Sequence, residues 1–271
     1  MTDSTSLTPV LFIPHGGGPL PLIDDPAHAS LSRFLGAAAQ YCPDPDAIVV
    51  FSAHWEEDVA VIGSHPNPAL IYDYYGFPEE TYRIEYPAPG APDLCDEITT
   101  LLERTGIESR QDSERGFDHG LFVPLKMMYP QANIPCVQVS LLKSLDAAAH
   151  IEIGRALAPL REKNILLLGS GMSFHNLRTL MRPESETHTL SVEFDDWLRE
   201  TCCDEHLQSA ERTQRLINWK EAPAAAYSHP REEHLLPLHM CFGAATKTTT
   251  PARLIYNDQL MSAQVSALLW Q

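Results

Sequence analysis

The chain has 271 residues, of which 44% are hydrophobic and 20% charged, a composition typical of a globular domain with a sizeable core. The 36 acidic residues outnumber the 19 basic ones, and the formal charge of −17 disfavours binding to nucleic acid or to anionic membranes. No apolar run reaches the roughly 18 residues of a membrane span, and the polar start of the chain lacks a signal-peptide pattern.

These features predict a cytoplasmic protein that forms one domain over residues 1–271, with residues 1–8 flexible. No feature of the sequence predicts an oligomeric state. The six cysteines include no C-x-x-C pair, so a ribbon-type zinc site is not expected and the thiols are expected to be reduced. The twelve histidines are the more unusual count, and their positions carry the functional information.

Short apolar runs alternate with helical patterns, which indicates an α/β fold with a mostly parallel central sheet flanked by helices. The predicted strands are Val10–Pro14, Ala47–Ala53, Ile134–Leu141 and Asn164–Gly169, and a strand is favoured over a helix for Met261–Gln271. The predicted helices are Pro92–Arg104, Leu121–Met128, Ala147–Arg161 and Ser191–Thr201, with another beginning near Arg231. The stretch Pro66–Gly90, rich in Pro, Tyr and Gly, predicts a long ordered loop.

Three histidines stand where predicted buried strands end. His15 follows the first strand, His54 closes the second, and His175 comes shortly after the strand that ends at Gly169. Because ligand sites of parallel sheets form outside the carboxyl ends of the strands, these imidazoles are expected to converge in one cleft. Imidazole binds Fe(II) and Zn(II) and also titrates near neutral pH, so the cluster predicts metal binding, proton transfer or both.

The remaining nine histidines lie outside the predicted strand ends. His119 lies in a Gly-Phe-Asp-His-Gly segment before an apolar helical run. His229 and His234 are five residues apart, so at most one of them is expected to bind the same metal. Solvent-facing or incidental positions are expected for six others: His28, His65, His150, His188, His206 and His239.

Two further groups of residues have open interpretations. Asp73 and the run Tyr72–Tyr75 fit either packing within the long loop or contact with a substrate. The adjacent acids Glu56 and Glu57 are interpreted as a solvated strand end and not as a catalytic pair.

The motifs together resemble a known family, the DOPA-dioxygenase type of class III extradiol ring-cleaving dioxygenases, in the superfamily of protocatechuate 4,5-dioxygenase catalytic subunits. The resemblance runs in order from about residue 10 to about residue 245. It is carried by Pro14–Pro19, Ser52–Trp55, Asp73 with Gly76–Pro78, Tyr86–Gly90, Gly116–Gly120, His175–Leu177, and Glu233-His234 before Leu236–Leu238.

The resemblance implies an α/β sandwich with a metal site at the carboxyl edge of the sheet. It implies His15, His54 and His234 as metal ligands, with His175 as an acid–base residue or additional ligand. His119 is then expected to contact substrate or oxygen.

The loop Tyr72–Pro78 is expected to shape the pocket, and Asp73 and Tyr74 within it are predicted to bind the substrate. The residues alone do not decide between Glu233 and His234 as the third ligand, because the protocatechuate-cleaving branch uses a glutamate. The resemblance to the DOPA-dioxygenase branch favours the histidine, His234, as the third ligand.

The function that follows is Fe(II)-dependent extradiol cleavage of a substituted catechol by O2, giving a muconic semialdehyde. Zn(II) is a possible occupant of the same site. The alternatives are a zinc-dependent hydrolase and a non-catalytic metal-binding protein.

Overall fold

The computed structural model describes residues 7–246 and 251–271. Its strands are β1 (Val10–Pro14), β2 (Ala47–Glu57), β3 (Ala60–Gly63), β4 (Ser109–Asp112), β5 (Cys136–Leu142), β6 (Ile165–Gly171), β7 (Arg253–Leu260) and β8 (Ala263–Trp270). Its α-helices are α1 (Ala29–Ala38), α2 (Pro92–Arg104), α3 (His119–Met128), α4 (Ala147–Leu157), α5 (Leu177–Met181), α6 (Thr187–Cys203), α7 (Ser209–Ile217), α8 (Ala225–Ser228) and α9 (Leu236–Ala245).

The eight strands form one sheet in the order β4-β3-β5-β2-β6-β1-β8-β7. The four central strands β5, β2, β6 and β1 are parallel to their neighbours in that group. The strand β8 runs antiparallel to β1 and forms a hairpin with β7. The predicted α/β fold with a mostly parallel sheet is therefore confirmed, and the carboxyl ends of the central strands share one edge.

Helices cover both faces of the sheet. Successive side chains of each central strand point to opposite faces, so both faces carry apolar side chains that must be buried. In β1, Val10 and Phe12 belong to one hydrophobic cluster, whereas Leu11 and Ile13 belong to the other. All four of these side chains are fully buried. The continuous apolar runs of the sequence thus correspond to strands that are covered on both faces.

Two of the predicted boundaries that differ from the structure lie next to the histidines discussed below. Strand β2 extends beyond Ala53 to Glu57, because it continues after a register shift between Phe51 and Glu56. The helix expected near Arg231 begins only at Leu236, since residues 231–235 form turns. Pro237 fits the first turn of that helix, where no backbone N–H donor is needed.

The long loop over residues 66–90 is anchored to the rest of the fold, as predicted. Isolated bridges join Leu70 to Phe117 and Gly90 to Cys136, and a short 3-10 helix spans Glu79–Arg83. Of the terminal segment predicted to be flexible, residues 1–6 lie outside the described residues. Thr8 is buried, and its amide donates to the Arg161 carbonyl. None of the helices in the described ranges combines the length and apolar character that a membrane crossing requires.

Candidate active site

The carboxyl edge of the sheet brings His15 and His54 together. His15 follows β1, and its amide donates to the carbonyl of Gly171 at the end of β6. His54 lies in the irregular part of β2. The Nε2 atoms of the two imidazoles are 3.0 Å apart. Two nitrogens bound at about 2.1 Å to one ion, at right angles to each other, would also lie about 3.0 Å apart.

His119 joins this pair from the first turn of α3. Ligand atoms of His15, His54 and His119 all lie within 4.8 Å of one another. A glycine is needed next to His119, because a Cβ atom at Gly120 would lie 2.5 Å from Ser52 Oγ. The close approach of α3 to β2 therefore depends on this small residue.

A second group combines His175, from the segment between β6 and α5, with Glu233 and His234 from the segment before α9. Ligand atoms of His175, Glu233 and His234 also lie within 4.8 Å of one another. The His175 and His234 rings stack with centroids 3.3 Å apart. The His234 centroid lies 5.2 Å from that of His15 and 5.0 Å from that of His54. The two groups thus form one cluster of five imidazoles.

Oxygen acceptors hold the Nδ1 atoms of four imidazoles in the cluster. His15 Nδ1 lies 3.1 Å from Ser170 Oγ, and His119 Nδ1 lies 2.8 Å from Asp73 Oδ1. Glu233 Oε1 lies 2.8 Å from His234 Nδ1 and 3.1 Å from His175 Nδ1. These contacts assign the proton of each of the four imidazoles to Nδ1. The Nε2 atom of each then has an unprotonated lone pair.

The electrostatics favour the neutral form of three imidazoles of the cluster, those of His15, His54 and His234. Burial, followed by the neighbouring imidazoles, lowers the pKa of His15 and of His54 well below its ordinary value. Burial and His175 lower the pKa of His234 to about 3, despite the opposing effect of Glu233. Neutral imidazoles offer the lone pairs that a metal ion requires.

The two carboxylates beside the cluster are held in their charged form. Burial alone would raise the pKa of Glu233, but hydrogen bonds from His175 and His234 outweigh it, and the net pKa is far below the ordinary value. Burial likewise opposes ionisation of Asp73, but the hydrogen bonds that it accepts from the ring and the amide of His119 leave its pKa lowered. Both carboxylates are therefore permanent acceptors for imidazole N–H groups.

The donor set fits a divalent transition-metal ion. Several neutral imidazoles converge with their Nε2 atoms unprotonated, and each supporting acceptor is an oxygen, as in carboxylate–histidine–metal arrangements. Three imidazoles are enough to hold such an ion and to leave positions for other groups. The residues present thus match the chemistry of a histidine-rich metal centre.

A buried polar network that the sequence did not reveal supports the same edge. Asp118 accepts hydrogen bonds from Ser52 Oγ at 2.7 Å, from Arg115 Nη2 at 3.1 Å and from Gln138. Burial and the nearby Asp73 charge raise the pKa of Asp118. Ser52 Oγ in turn accepts from the His54 amide. This network connects the start of α3 to the part of β2 that carries His54.

The predicted substrate contacts lie beside the cluster. Asp73 accepts from both the amide and the ring of His119, and its side chain is 22% exposed. Tyr74 lies edge-on to His119, with ring centroids 5.8 Å apart. Its hydroxyl donates to the Thr81 carbonyl at 2.6 Å.

Three histidines that we expected to be solvent-facing or incidental are fully buried instead: His28, His150 and His239. Each of these imidazoles bonds to a backbone group through its Nε2 atom. His28 Nε2 accepts from the Gly17 amide and so fixes the turn after His15. His150 Nε2 accepts from the Leu142 amide, and His239 Nε2 bonds to the Leu216 carbonyl. His65 is partly exposed, and His188 and His206 are exposed, outside the cluster.

Three other candidate residues, His229, Glu56 and Glu57, also lie outside the cluster. His229 is buried, and its Nε2 atom bonds to the Ser173 carbonyl. Glu56 and Glu57 are ion-paired with Arg231 and Arg110, which agrees with a strand-end role and not with a catalytic pair.

Comparisons with known proteins agree with this geometry. The family described as "Catalytic LigB subunit of aromatic ring-opening dioxygenase" matches residues 8–268. The chain belongs to this family. It is therefore an oxidoreductase of the ring-cleaving dioxygenase class.

Known relatives match this chain over most of its length. It is 37% identical to "Dioxygenase tasH" of Hapsidospora irregularis, over 97% of this chain and 86% of that protein. It is 35% identical to a "4,5-DOPA dioxygenase extradiol" of Beta vulgaris, over 95% and 94% of the two chains. The crystal structure of the uncharacterized protein JW3007 from Escherichia coli K12 superposes with a TM-score of 0.78 at 30% identity, covering 97% of this chain and 100% of that one.

Proposed function

We propose that this protein is a non-haem Fe(II)-dependent extradiol dioxygenase that cleaves a substituted catechol with O2 to a muconic semialdehyde. The observation that carries the proposal is the convergence of five imidazoles at the carboxyl edge of the sheet, with two of their Nε2 atoms 3.0 Å apart. Family membership favours oxidoreductase chemistry over the zinc hydrolase and the non-catalytic metal protein. The cytoplasmic location stays a prediction.

We assign metal binding to His15, His54 and His234, whose rings lie within 5.2 Å of one another between centroids. When bound, Fe(II) would supply the redox chemistry that triplet dioxygen needs in order to react with a closed-shell catechol. Zn(II) suits the same imidazoles but cannot supply that chemistry. His119 is the competing third ligand, because its ligand atom lies within 4.8 Å of those of His15 and His54.

His175 is proposed as the acid–base residue. Glu233 accepts from its Nδ1 atom, so Nε2 is the position that takes a proton from a catechol hydroxyl and returns it later in the reaction. Its side chain is 14% exposed, which leaves it accessible to a small molecule. A positioned acid–base group of this kind contributes about 10²–10⁴-fold in rate.

His119, Asp73 and Tyr74 are proposed to form the wall of the substrate pocket. Asp73 orients the His119 ring so that its Nε2 atom faces the cluster. Tyr74 presents its ring to His119, while its hydroxyl is engaged with Thr81. We therefore expect Tyr74 to contact the catechol through its ring and not through its hydroxyl. The Beta vulgaris relative is named for DOPA, so DOPA-like catechols are the first substrates to test.

The test is anaerobic loading of the purified protein with Fe(II), followed by oxygen uptake and visible absorption with DOPA, caffeate and simpler catechols. We expect stoichiometric oxygen uptake and a yellow ring-cleaved product with at least one of them. Protein loaded with Zn(II) is the matched control and is expected to be inactive. Oxygen-independent turnover, or no oxygen uptake across the panel, would contradict the proposal.

A further inference from the structure

Arg231 links the two chain segments that carry the proposed ligands His54 and His234. Its two Nη atoms each lie 2.6 Å from an oxygen of Glu56, which is two residues after His54 in β2. Its Nη1 atom also lies 3.2 Å from Glu233 Oε2, next to His234. One guanidinium therefore holds carboxylates from two distant parts of the chain.

The oxygens of Glu233 are divided between the cluster and this arginine. Oε1 accepts from the Nδ1 atoms of His234 and His175, whereas Oε2 faces Arg231. Rotation of the carboxylate would break contacts on both sides at once. The side chain of Glu233 is only 12% exposed, so water competes weakly for these hydrogen bonds.

Arginine suits this position better than lysine would. Its planar fork donates to both oxygens of Glu56 and still reaches a second carboxylate, whereas an ammonium acts as a point charge. Arg231 itself is 51% exposed, so its ion pairs are expected to add little to global stability. Their effect is expected on the orientation of Glu233 and of the imidazoles it holds.

We propose that Arg231 is a positioning residue that, together with Glu56, fixes Glu233 and thereby orients His234 and His175 for metal binding and proton transfer. This inference rests on the proposed function, in which these two imidazoles serve the metal and the acid–base step. It assigns to Arg231 an effect on metal affinity, although the guanidinium contacts no imidazole of the cluster among the described residues.

The experiment compares Arg231→Met, Arg231→Lys and the native protein. Metal affinity is measured by competition with a chelator for Fe(II) and Co(II), and the visible spectrum of bound Co(II) reports the ligand geometry. Because outer-sphere partners change metal affinity by about 10–100-fold, we expect a loss of about 10-fold in Arg231→Met and a smaller loss in Arg231→Lys. The Co(II) spectrum is expected to change in Arg231→Met. Glu56→Gln tests the other end of the link and is expected to weaken binding in the same direction.

Arg215→Met is the matched control. Arg215 bridges Glu200 at 2.8 Å and Glu211 at 2.9 Å from α7, so this change removes a partly exposed arginine that likewise lies between two glutamates. Metal affinity and the Co(II) spectrum should remain native. Thermal unfolding of each variant shows whether the fold persists, and Arg231→Lys keeps the test usable if Arg231→Met does not fold.

The outcomes separate this inference from the proposed function. Native catechol cleavage combined with unchanged metal affinity and Co(II) spectrum in both Arg231→Met and Glu56→Gln would overturn the role of Arg231 alone. Weakened metal binding in these variants, in a protein that cleaves no catechol, would support the role of Arg231 and overturn the proposed reaction. A native protein that binds neither Fe(II) nor Co(II) would overturn both.

Discussion

Both halves of the histidine cluster contain one carboxylate beside two imidazoles, but only one of the two carboxylates is paired with an arginine in the part of the chain that the structure describes. In each half, one carboxylate lies between two imidazoles: Asp73 beside His119 and His54, and Glu233 beside His234 and His175. Arg231 pairs with Glu233, whereas no Lys or Arg of the described residues pairs with Asp73.

This difference indicates that the two halves of the cluster have different roles. Asp73 comes from the long loop over residues 66–90 and is 22% exposed, against 12% for Glu233. A carboxylate fixed by an ion pair suits residues that must hold a metal, and one on a loop suits residues that adapt to a substrate. The Glu233 half, which contains the proposed ligand His234, is therefore interpreted as the anchoring side. The Asp73 half is interpreted as the substrate side, because Asp73 is hydrogen-bonded to His119 and its Oδ2 atom lies 3.8 Å from Nδ1 of the proposed ligand His54.

The largest effects are expected when one imidazole in each half is replaced by alanine, which tests the difference between the anchoring side and the substrate side. We expect His234→Ala to lower Fe(II) affinity by more than the roughly 10–100-fold typical of outer-sphere changes, because it removes a proposed ligand. We expect His119→Ala to keep the metal and to lose turnover. Chelator competition and single-turnover rates measure the two effects. Metal loss in His119→Ala with retention in His234→Ala would reverse the assignment and make His119 the third ligand.

A second test asks whether the two imidazoles of the anchoring side differ in role. His175→Ala should retain bound metal and lose about 10²–10⁴-fold in turnover, the range expected for a lost acid–base group. Metal content and turnover are measured on the same sample. Loss of the metal from this variant would make His175 a ligand instead of the acid–base residue.

A third test compares the carboxylates themselves through the isosteric changes Glu233→Gln and Asp73→Asn. Glu233→Gln should weaken metal binding by about 10–100-fold, because it weakens the acceptor shared by His234 and His175. Asp73→Asn should reduce turnover with a smaller change in metal affinity. Equal effects of the two changes on metal affinity would remove the distinction between an anchoring and a substrate side.

Topology explains which parts of the site were predictable from sequence. His15 and His54 were predicted to meet because both follow buried parallel strands, whose carboxyl ends share an edge. The position of His234 came only from the family resemblance, since no strand ends near it. Its neighbour Glu233 has equally suitable ligand chemistry, and only the observed contacts reveal it as an acceptor for two imidazoles.

Other features were beyond sequence reasoning because their partners are distant or belong to the backbone. The ion pair between Arg231 and Glu56 joins residues 175 positions apart. His28 and His150 were misjudged because each accepts from a backbone amide, and no pattern of side chains signals such a partner. The main fold was predictable, whereas the end of β2 depended on a register shift that leaves no clear mark in the sequence.

The smallest expected effect concerns His150, a buried histidine outside both halves of the cluster. It tests whether burial lowers the pKa of a histidine there. Burial lowers the pKa of His150 to about 4, below the ordinary 6.5. The folded state therefore favours the neutral imidazole. This contribution to stability is complete above about pH 6.5 and is lost as the pH falls towards 4.

Between about pH 7.5 and 5.5, the native protein should lose about 1.4 kcal/mol of unfolding free energy more than His150→Gln, which cannot take up this proton. Urea unfolding at the two pH values measures the difference and cancels the shared titration of the cluster. His188→Gln, at an exposed position of α6, is the control and should keep the native pH dependence. If His150→Gln also keeps it, burial is not what sets the protonation of this histidine, and the same explanation for the cluster weakens.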